Sequence, residues 1–300
     1  GGCDEKKNDK SSTENMKQAT NFSSYEAEWK KVDSLDQKNL PKSALKIVNS
    51  IMDKASKDGN QMMQIKALVY QLKYADQLEE KSFSTAIQKI NHLQATNQEP
   101  LKQILASLKG EVISSYYQQN RWKLRGRSTT QNYDLGDITT WDLKTLADNA
   151  FKSYLSSLEN PSKLQSIDTK EFTYILTDTS KRSLELTPTI YDLLASRALL
   201  FFENDELNIE RPVDKFSIND EAYFGTEAQF LKVNTDSKDS LSAYLHYSKV
   251  MQDLTRFHSN DKYPVARLTN HLNRLYFAHE KSTLSNKTEL YEAALRQLMT

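Results

Sequence analysis

Apolar residues recur at helical spacing through almost the whole chain, and little interrupts them. Glycine occurs only 7 times and proline 6 times in 300 residues. A fold with many strands needs many tight turns, and tight turns need those two residues. The pattern therefore points to helices. One stripe carries Tyr25, Trp29, Val32 and Leu35. Leu40-Pro41 breaks it, and proline suits the first turn of a new helix. That second helix buries Ala44, Leu45, Ile47, Val48 and Ile51, and Asp58-Gly59-Asn60 ends it with a residue that tolerates the left-handed conformation. A third carries Met62, Ile65, Leu68, Val69, Leu72 and Leu78, and a fourth starts at Ser82 or Ser84 and buries Ala86, Ile87, Ile90 and Leu93. A fifth follows Pro100 with Ile104, Leu105, Leu108, Val112, Ile113 and Tyr116. These spacings follow the i, i+3, i+4, i+7 template.

The helices repeat. KSALKIVNSI (42–51) aligns with FSTAIQKINHL (83–93), placing Ala44 on Ala86, Asn49 on Asn91, and Leu45, Val48 and Ile51 on Ile87, Ile90 and Leu93. A small alanine early in a helix lets a neighbour approach closely. Paired helices repeating at such a period predict an all-α, TPR-like superhelix of antiparallel helical hairpins. The full tetratricopeptide consensus is absent.

The expected organisation follows from the breaks. Residues 1–21 hold the chain's only cysteine, Cys3, and the segment DEKKNDKSSTENMKQATN, which has too few apolar residues to order itself. Gly2-Cys3 matches what remains of a bacterial lipobox, with Cys3 as the lipid attachment point; the other reading is a lone cysteine in a polar tail. As a tether the tail would reach roughly 20–25 Å. Residues 22–125 form the first helical hairpin array, with Ser23-Ser24 placed to cap its first helix, and 126–138 a loop. A second helical segment spans 139–204, opening with Thr139-Thr140-Trp141-Asp142, where a hydroxyl caps and an acid enters the first turn. Within it, Thr187-Pro188 opens a helix apolar on more than one face (Leu193, Leu194, Leu199, Leu200, Phe201, Phe202), expected to be the most buried. Residues 205–235, with Pro212, Gly225 and scattered aromatics, form an irregular, aromatic-pinned excursion. Residues 236–300 return to helices, from Asp236 to Phe257, Val265 to His279 and Thr288 onward. The last, LYEAALRQLM, lacks a polar capping face, so the chain is expected to continue beyond it.

Lys and Arg total 40 against 40 Asp and Glu, which argues against a nucleic-acid surface spread over the protein. No apolar run approaches the roughly 20 residues that span a bilayer. No phosphate-binding glycine loop, HExxH or GxSxG motif occurs. No catalytic residue, metal, cofactor or small-molecule substrate is expected. His271 and His279 lie eight apart on one helix, but zinc sites on helices use i, i+3 or i, i+4 pairs plus further ligands. Asp134 and Asp137 suit either a calcium or acid–base pair, or a loop tie and helix cap. The one concentrated basic stretch, Arg121, Lys123, Arg125 and Arg127, adjoins Tyr116, Tyr117 and Trp122. It reads either as an interaction surface made of Tyr116, Tyr117, Arg121, Trp122 and Arg125, able to stack and pair with an anionic polymer, or as cations favoured at a helix C-terminus. Trp122 and Trp141 are expected to pin the loop between them.

Several blocks then carry a resemblance. YEAEWKKVDSLDQKNLPKSALKIVNSI, YYQQNRWKLRGRS, DLGDITTWDLKTL, SYLSSLEN, LTPTIYDLLASRALLFFEND, FSINDEAYFGTEAQFLKV and DSLSAYLHYSKVMQDLTRFH, in this order, resemble the N-terminal helical region of the large alpha-2-macroglobulin-type lipoproteins of Bacteroides-like bacteria. The resemblance spans residues 24–300. It implies a protease-trapping protein in which a bait region is cut and, in many members, a Cys–Gln thioester captures the protease. With Cys3 the only cysteine, that thioester cannot lie in these residues. The implied role is a non-catalytic helical scaffold in the bacterial cell envelope, lipid-anchored on the periplasmic or outer-membrane face. Its implied partners are downstream macroglobulin domains, a cell-envelope protein and the membrane. The competing reading is a glycan-binding outer-membrane lipoprotein of the starch-utilisation type.

Overall fold

The computed structural model describes residues 24–126, 134–205, 207, 215–260 and 262–300. Cys3, the tether through residue 21, Ser23, Arg127, most of the loop and Pro212 lie outside the described residues. The described chain is all-α, and no strand occurs among those residues; Asp168 and Thr189 form an isolated antiparallel bridge. The chain divides into two compact units. The first is the described part of Gly1–Ser157 together with Glu171–Thr179; the second is Leu158–Lys170 with the described part of Ser180–Thr300.

Six long helices build the first unit: α1 (Glu26–Gln37), α2 (Pro41–Asp58), α3 (Gln61–Lys73), α4 (Glu80–Thr96), α5 (Leu101–Leu124) and α6 (Leu143–Ser156). The stops are the expected ones. Pro41 opens α2, and Gly59 ends it at φ 66°, a left-handed conformation that glycine adopts without a Cβ clash. Asn60 then caps α3 by accepting from the Met63 N–H. Two expected starts differ. α1 begins after Tyr25 with no side-chain cap. α4 begins at Glu80, ahead of Ser82 and Ser84, because the chain leaving α3 turns through a 3-10 segment at Ala75–Gln77.

α2/α3 and α4/α5 form antiparallel hairpins, and each of the two aligned asparagines bonds across its own hairpin. Asn49 on α2 accepts from Gln71 Nε2 on α3 at 3.1 Å, and Asn91 on α4 accepts from Lys109 Nζ on α5 at 3.1 Å. The apolar stripes meet inside: Ala44, Val48, Ile51, Ile65, Leu68, Phe83, Ile87, Ile90, Leu105, Val112 and Ile113 are buried. α1 closes the outer end of this unit. Its Trp29 donates to Met63 Sδ at 2.9 Å and lies under Lys66 Nζ, 4.3 Å above the ring. Burial of Lys66 lowers its pKa. Burial, then a 2.5 Å bond to Asp58, pushes the Tyr25 hydroxyl up to about 12.

The second unit contains α7 (Pro161–Gln165), α8 (Lys181–Leu186), α9 (Ile190–Phe202), α10 (Glu227–Phe230), α11 (Ala243–Phe257), α12 (Pro264–Lys281) and α13 (Lys287–Leu298). α9 starts two residues after Pro188, and Thr189 and Asp192 cap it reciprocally. It is not the most enclosed helix. Leu200 is 64% exposed, whereas α11 buries His246, Ser248, Gln252 and Thr255 beside its apolar face. α11 also starts at Ala243 rather than near Asp236, since Ser242 is the cap that accepts from the Leu245 N–H.

At Gly110 on α5 the neighbouring helix comes close. A Cβ there would lie 2.6 Å from the Tyr154 ring of α6. Gly110→Val should lower stability by about 1–3 kcal/mol through overpacking. In urea melts, the Gly110→Val, Tyr154→Ala double variant should lose less than the sum of the two single variants, because the clash is absent from it.

Candidate functional site

The stretch from α5 to α6 gathers the chemistry singled out in the sequence. The end of α5 carries Arg121, Trp122, Lys123 and Arg125. Beyond the loop, a 3-10 turn at Ile138–Thr140 leads into α6. Between them and α4 lies an open cleft of about 930 Å³, lined among others by Glu79, Glu80, Ser84, Lys123, Asp134 and Asp137.

Three acids of this cleft, Glu80, Asp134 and Asp137, are engaged in local bonds. Asp137 caps the 3-10 turn: its Oδ1 accepts from Thr139 N at 3.0 Å, Thr139 Oγ1 at 2.6 Å and Ser84 Oγ of α4 at 2.8 Å. The hydrogen bonds from Thr139 and Ser84 hold its carboxyl below the usual carboxylate range. Asp134 Oδ1 accepts from Gly136 N at 2.8 Å, and its carbonyl accepts from Trp141 Nε1 at 2.8 Å. Gln88 on α4 donates to the Gly136 carbonyl at 3.2 Å. Glu80 accepts from Lys123 Nζ at 2.9 Å and Tyr116 Oη at 3.1 Å. Asp137 and Gly136 therefore tie the loop to α4, and Asp134 bonds within the connection itself.

The cap of α6 is not the one the sequence suggested. Asp142 is itself the N-cap and accepts from Thr145 N at 2.8 Å, while Thr139 and Thr140 belong to the preceding 3-10 turn. Trp141 is fully buried and pins the loop as expected. Trp122 does not pin it: its side chain is 77% exposed. Tyr116 and Tyr117 are buried in the core, so of the five residues read as one surface only Arg121, Trp122 and Arg125 stand in solvent. The reason is angular. Tyr116, Tyr117 and Leu124 share the inward face of α5, and Trp122 lies about 140° around the helix from Tyr117 at 100° per residue.

In the second unit, sequence reasoning missed two buried clusters. Asp192 Oδ2 accepts from the Thr189 N–H and hydroxyl, and its Oδ1 lies 2.5 Å from His258 Nε2; Asp192 and His258 are both buried. This joins the N-terminus of α9 to the C-terminus of α11, an acid and a base each placed at the dipole end that favours it. Arg274 on α12 is buried as well. It donates to the carbonyls of Tyr223 at 2.9 Å and Gly225 at 3.0 Å and to His271 Nδ1 at 2.7 Å, with its guanidinium 4.9 Å from the centre of the Phe230 ring. Burial brings the pKa of Arg274 down to about 10. Burial, then the neighbouring Arg274 cation, lowers that of His271. His279, the other histidine of the helical pair, stacks on Tyr291 at 4.5 Å. No cluster of three or more metal-ligating side chains occurs among the described residues, and no helix among them is long and apolar enough to cross a membrane.

Comparison of the chain with protein-family models, curated proteins and solved structures finds no match.

Two substitution pairs check these assignments. Trp141→Ala should cost about 3–5 kcal/mol and clearly lower the melting temperature, while Trp122→Ala stays within about 0.5 kcal/mol of the parent protein. Arg274→Met should cost at least about 2 kcal/mol in urea melts, since it leaves the buried Tyr223 carbonyl and the half-buried Gly225 carbonyl without donors. Arg274→Lys should recover little of that loss, because a point charge does not reproduce the guanidinium fork.

Proposed function

We propose that the chain is a non-catalytic scaffold and interaction module, a TPR-like superhelix of stacked helical hairpins. We place it at the N-terminus of an alpha-2-macroglobulin-like, protease-trapping lipoprotein of the bacterial cell envelope. In this reading endopeptidase inhibition belongs to downstream macroglobulin domains, and Cys3, outside the described residues, holds the module to the membrane. The observation that carries the scaffold role is the use of the buried charged side chains. Asp142 caps a helix, Asp192 and His258 join two helix ends, and Arg274 binds two loop carbonyls. The repeated asparagines Asn49 and Asn91, each bonded across its own hairpin, support the stacked-repeat reading. The family blocks between residues 24 and 300 support the larger assignment.

One observation favours the glycan-binding alternative: Trp122 stands exposed beside Arg121 and Arg125, and exposed aromatics stack on sugar rings. Two experiments separate the readings. Crosslinking of the purified chain on native envelope should recover a specific protein partner, and recovering none at micromolar concentration would reduce the role to a spacer. Calorimetric titration with polysaccharides should give no saturable heat; saturation at millimolar glycan would replace this proposal with the alternative.

A further inference from the structure

α12 buries one face through Ala266, Arg274, Leu275, Phe277 and Ala278. Its other face carries a second apolar line. Val265, Leu268, Leu272 and Tyr276 are 42%, 51%, 39% and 58% exposed. At 100° per residue these four fall within an arc of about 80°, one straight ridge about 16 Å long. Its flanks hold few free charges. Thr269 and Asn273 are uncharged, Arg267 is bound to Glu227 at 2.7 Å, and His271 accepts from Arg274. Exposed charges return at the two ends, Lys262 before the helix and Glu280 in its last turn. Lys262 Nζ lies 5.8 Å from the Tyr263 ring centre, and Glu280 has His279 Nδ1 at 3.7 Å.

The ridge is complementary to itself. Turned antiparallel about a two-fold axis near the middle of α12, Val265 meets Tyr276 of a second copy and Leu268 meets Leu272. The same register brings Lys262 of each copy to Glu280 of the other. A parallel arrangement would set Lys262 against Lys262 and Glu280 against Glu280. We propose that α12 is the contact of an isologous homodimer, two copies of this chain packed antiparallel along the Val265–Tyr276 ridge with two Lys262–Glu280 ion pairs at its ends. Such closed two-fold pairing needs one self-complementary patch. A ridge of three turns lies at the small end of specific interfaces, so the dimer is weak. This inference is independent of the envelope reading.

Sedimentation velocity on the whole chain, from about 2 to 500 µM, tests it. The weight-average sedimentation coefficient should rise from monomer to dimer across that range. Leu268→Lys with Leu272→Lys should remain monomeric throughout, with helical content unchanged by circular dichroism. Lys262→Glu and Glu280→Lys, both at exposed sites, should each raise Kd about fivefold or more, and the double charge reversal should restore it. A monomer at every concentration, dimerisation unaffected by the ridge substitutions, or single reversals without effect would each overturn the proposal. If the lysine ridge variant does not fold, the charge-reversal series decides alone.

Discussion

The second unit depends on one buried cation. The chain at 215–235 has no sustained helical period, yet Tyr223, Phe224, Phe230 and Val233 are buried. Burying side chains from an irregular segment drags its backbone out of water, and each buried carbonyl then needs a donor. Helices supply donors internally; the 3-10 turn Glu221–Phe224 and the single turn of α10 supply them for only part of this segment. Arg274 supplies them from α12 through one planar group that reaches the Tyr223 and Gly225 carbonyls together. The cost of burying the guanidinium is offset by three hydrogen-bond acceptors and an aromatic face, with the Glu227 charge nearby raising the tendency to stay protonated. Gln252 repeats the device from α11, donating to the carbonyls of Phe230 and Val233. Thr283, after α12, donates its N–H to the Ile218 carbonyl.

The first unit uses other residues to the same end. Between α5 and α6 the described part of the connection has only a single 3-10 turn of regular structure. Trp141 brings apolar area inward and bonds the Asp134 carbonyl, while Asp137 reaches Ser84 on α4. Aromatic and charged residues concentrate in such connections because the connections require them. That is why a stretch dense in Trp, Arg and Asp resembles a binding site when read as a sequence, and serves as a joint in the structure.

What was legible and what was not divides along this line. The helices of the first unit follow from local periodicity, and Pro41, Gly59 and the Ala44/Ala86 repeat give their ends and pairing without any long-range information. The exposure of Trp122 is also local: Tyr116 and Tyr117 define the inward face of α5, and the five residues from Tyr117 to Trp122 carry its side chain about 140° around the helix from Tyr117. The N-cap of α6 is ambiguous in the sequence because Thr139, Thr140 and Asp142 are all competent N-caps, and the 3-10 turn that takes up Thr139 and Thr140 leaves the role to Asp142. The Asp192–His258 and Arg274–Tyr223 contacts join residues far apart in sequence. No spacing rule reaches them, and only the packing of α9, α11 and α12 brings them together.

The central claim is that buried polar side chains, by bonding the carbonyls that short turns leave without donors, order the irregular connections. Native-state hydrogen exchange over residues 215–235 tests it most directly. The account predicts that the Tyr223, Gly225, Phe230 and Val233 amides, all bonded to nearby carbonyls beneath buried side chains, exchange as slowly as those in the middle of α11. Exchange at the rate of a free peptide, while α11 stays protected, would contradict it.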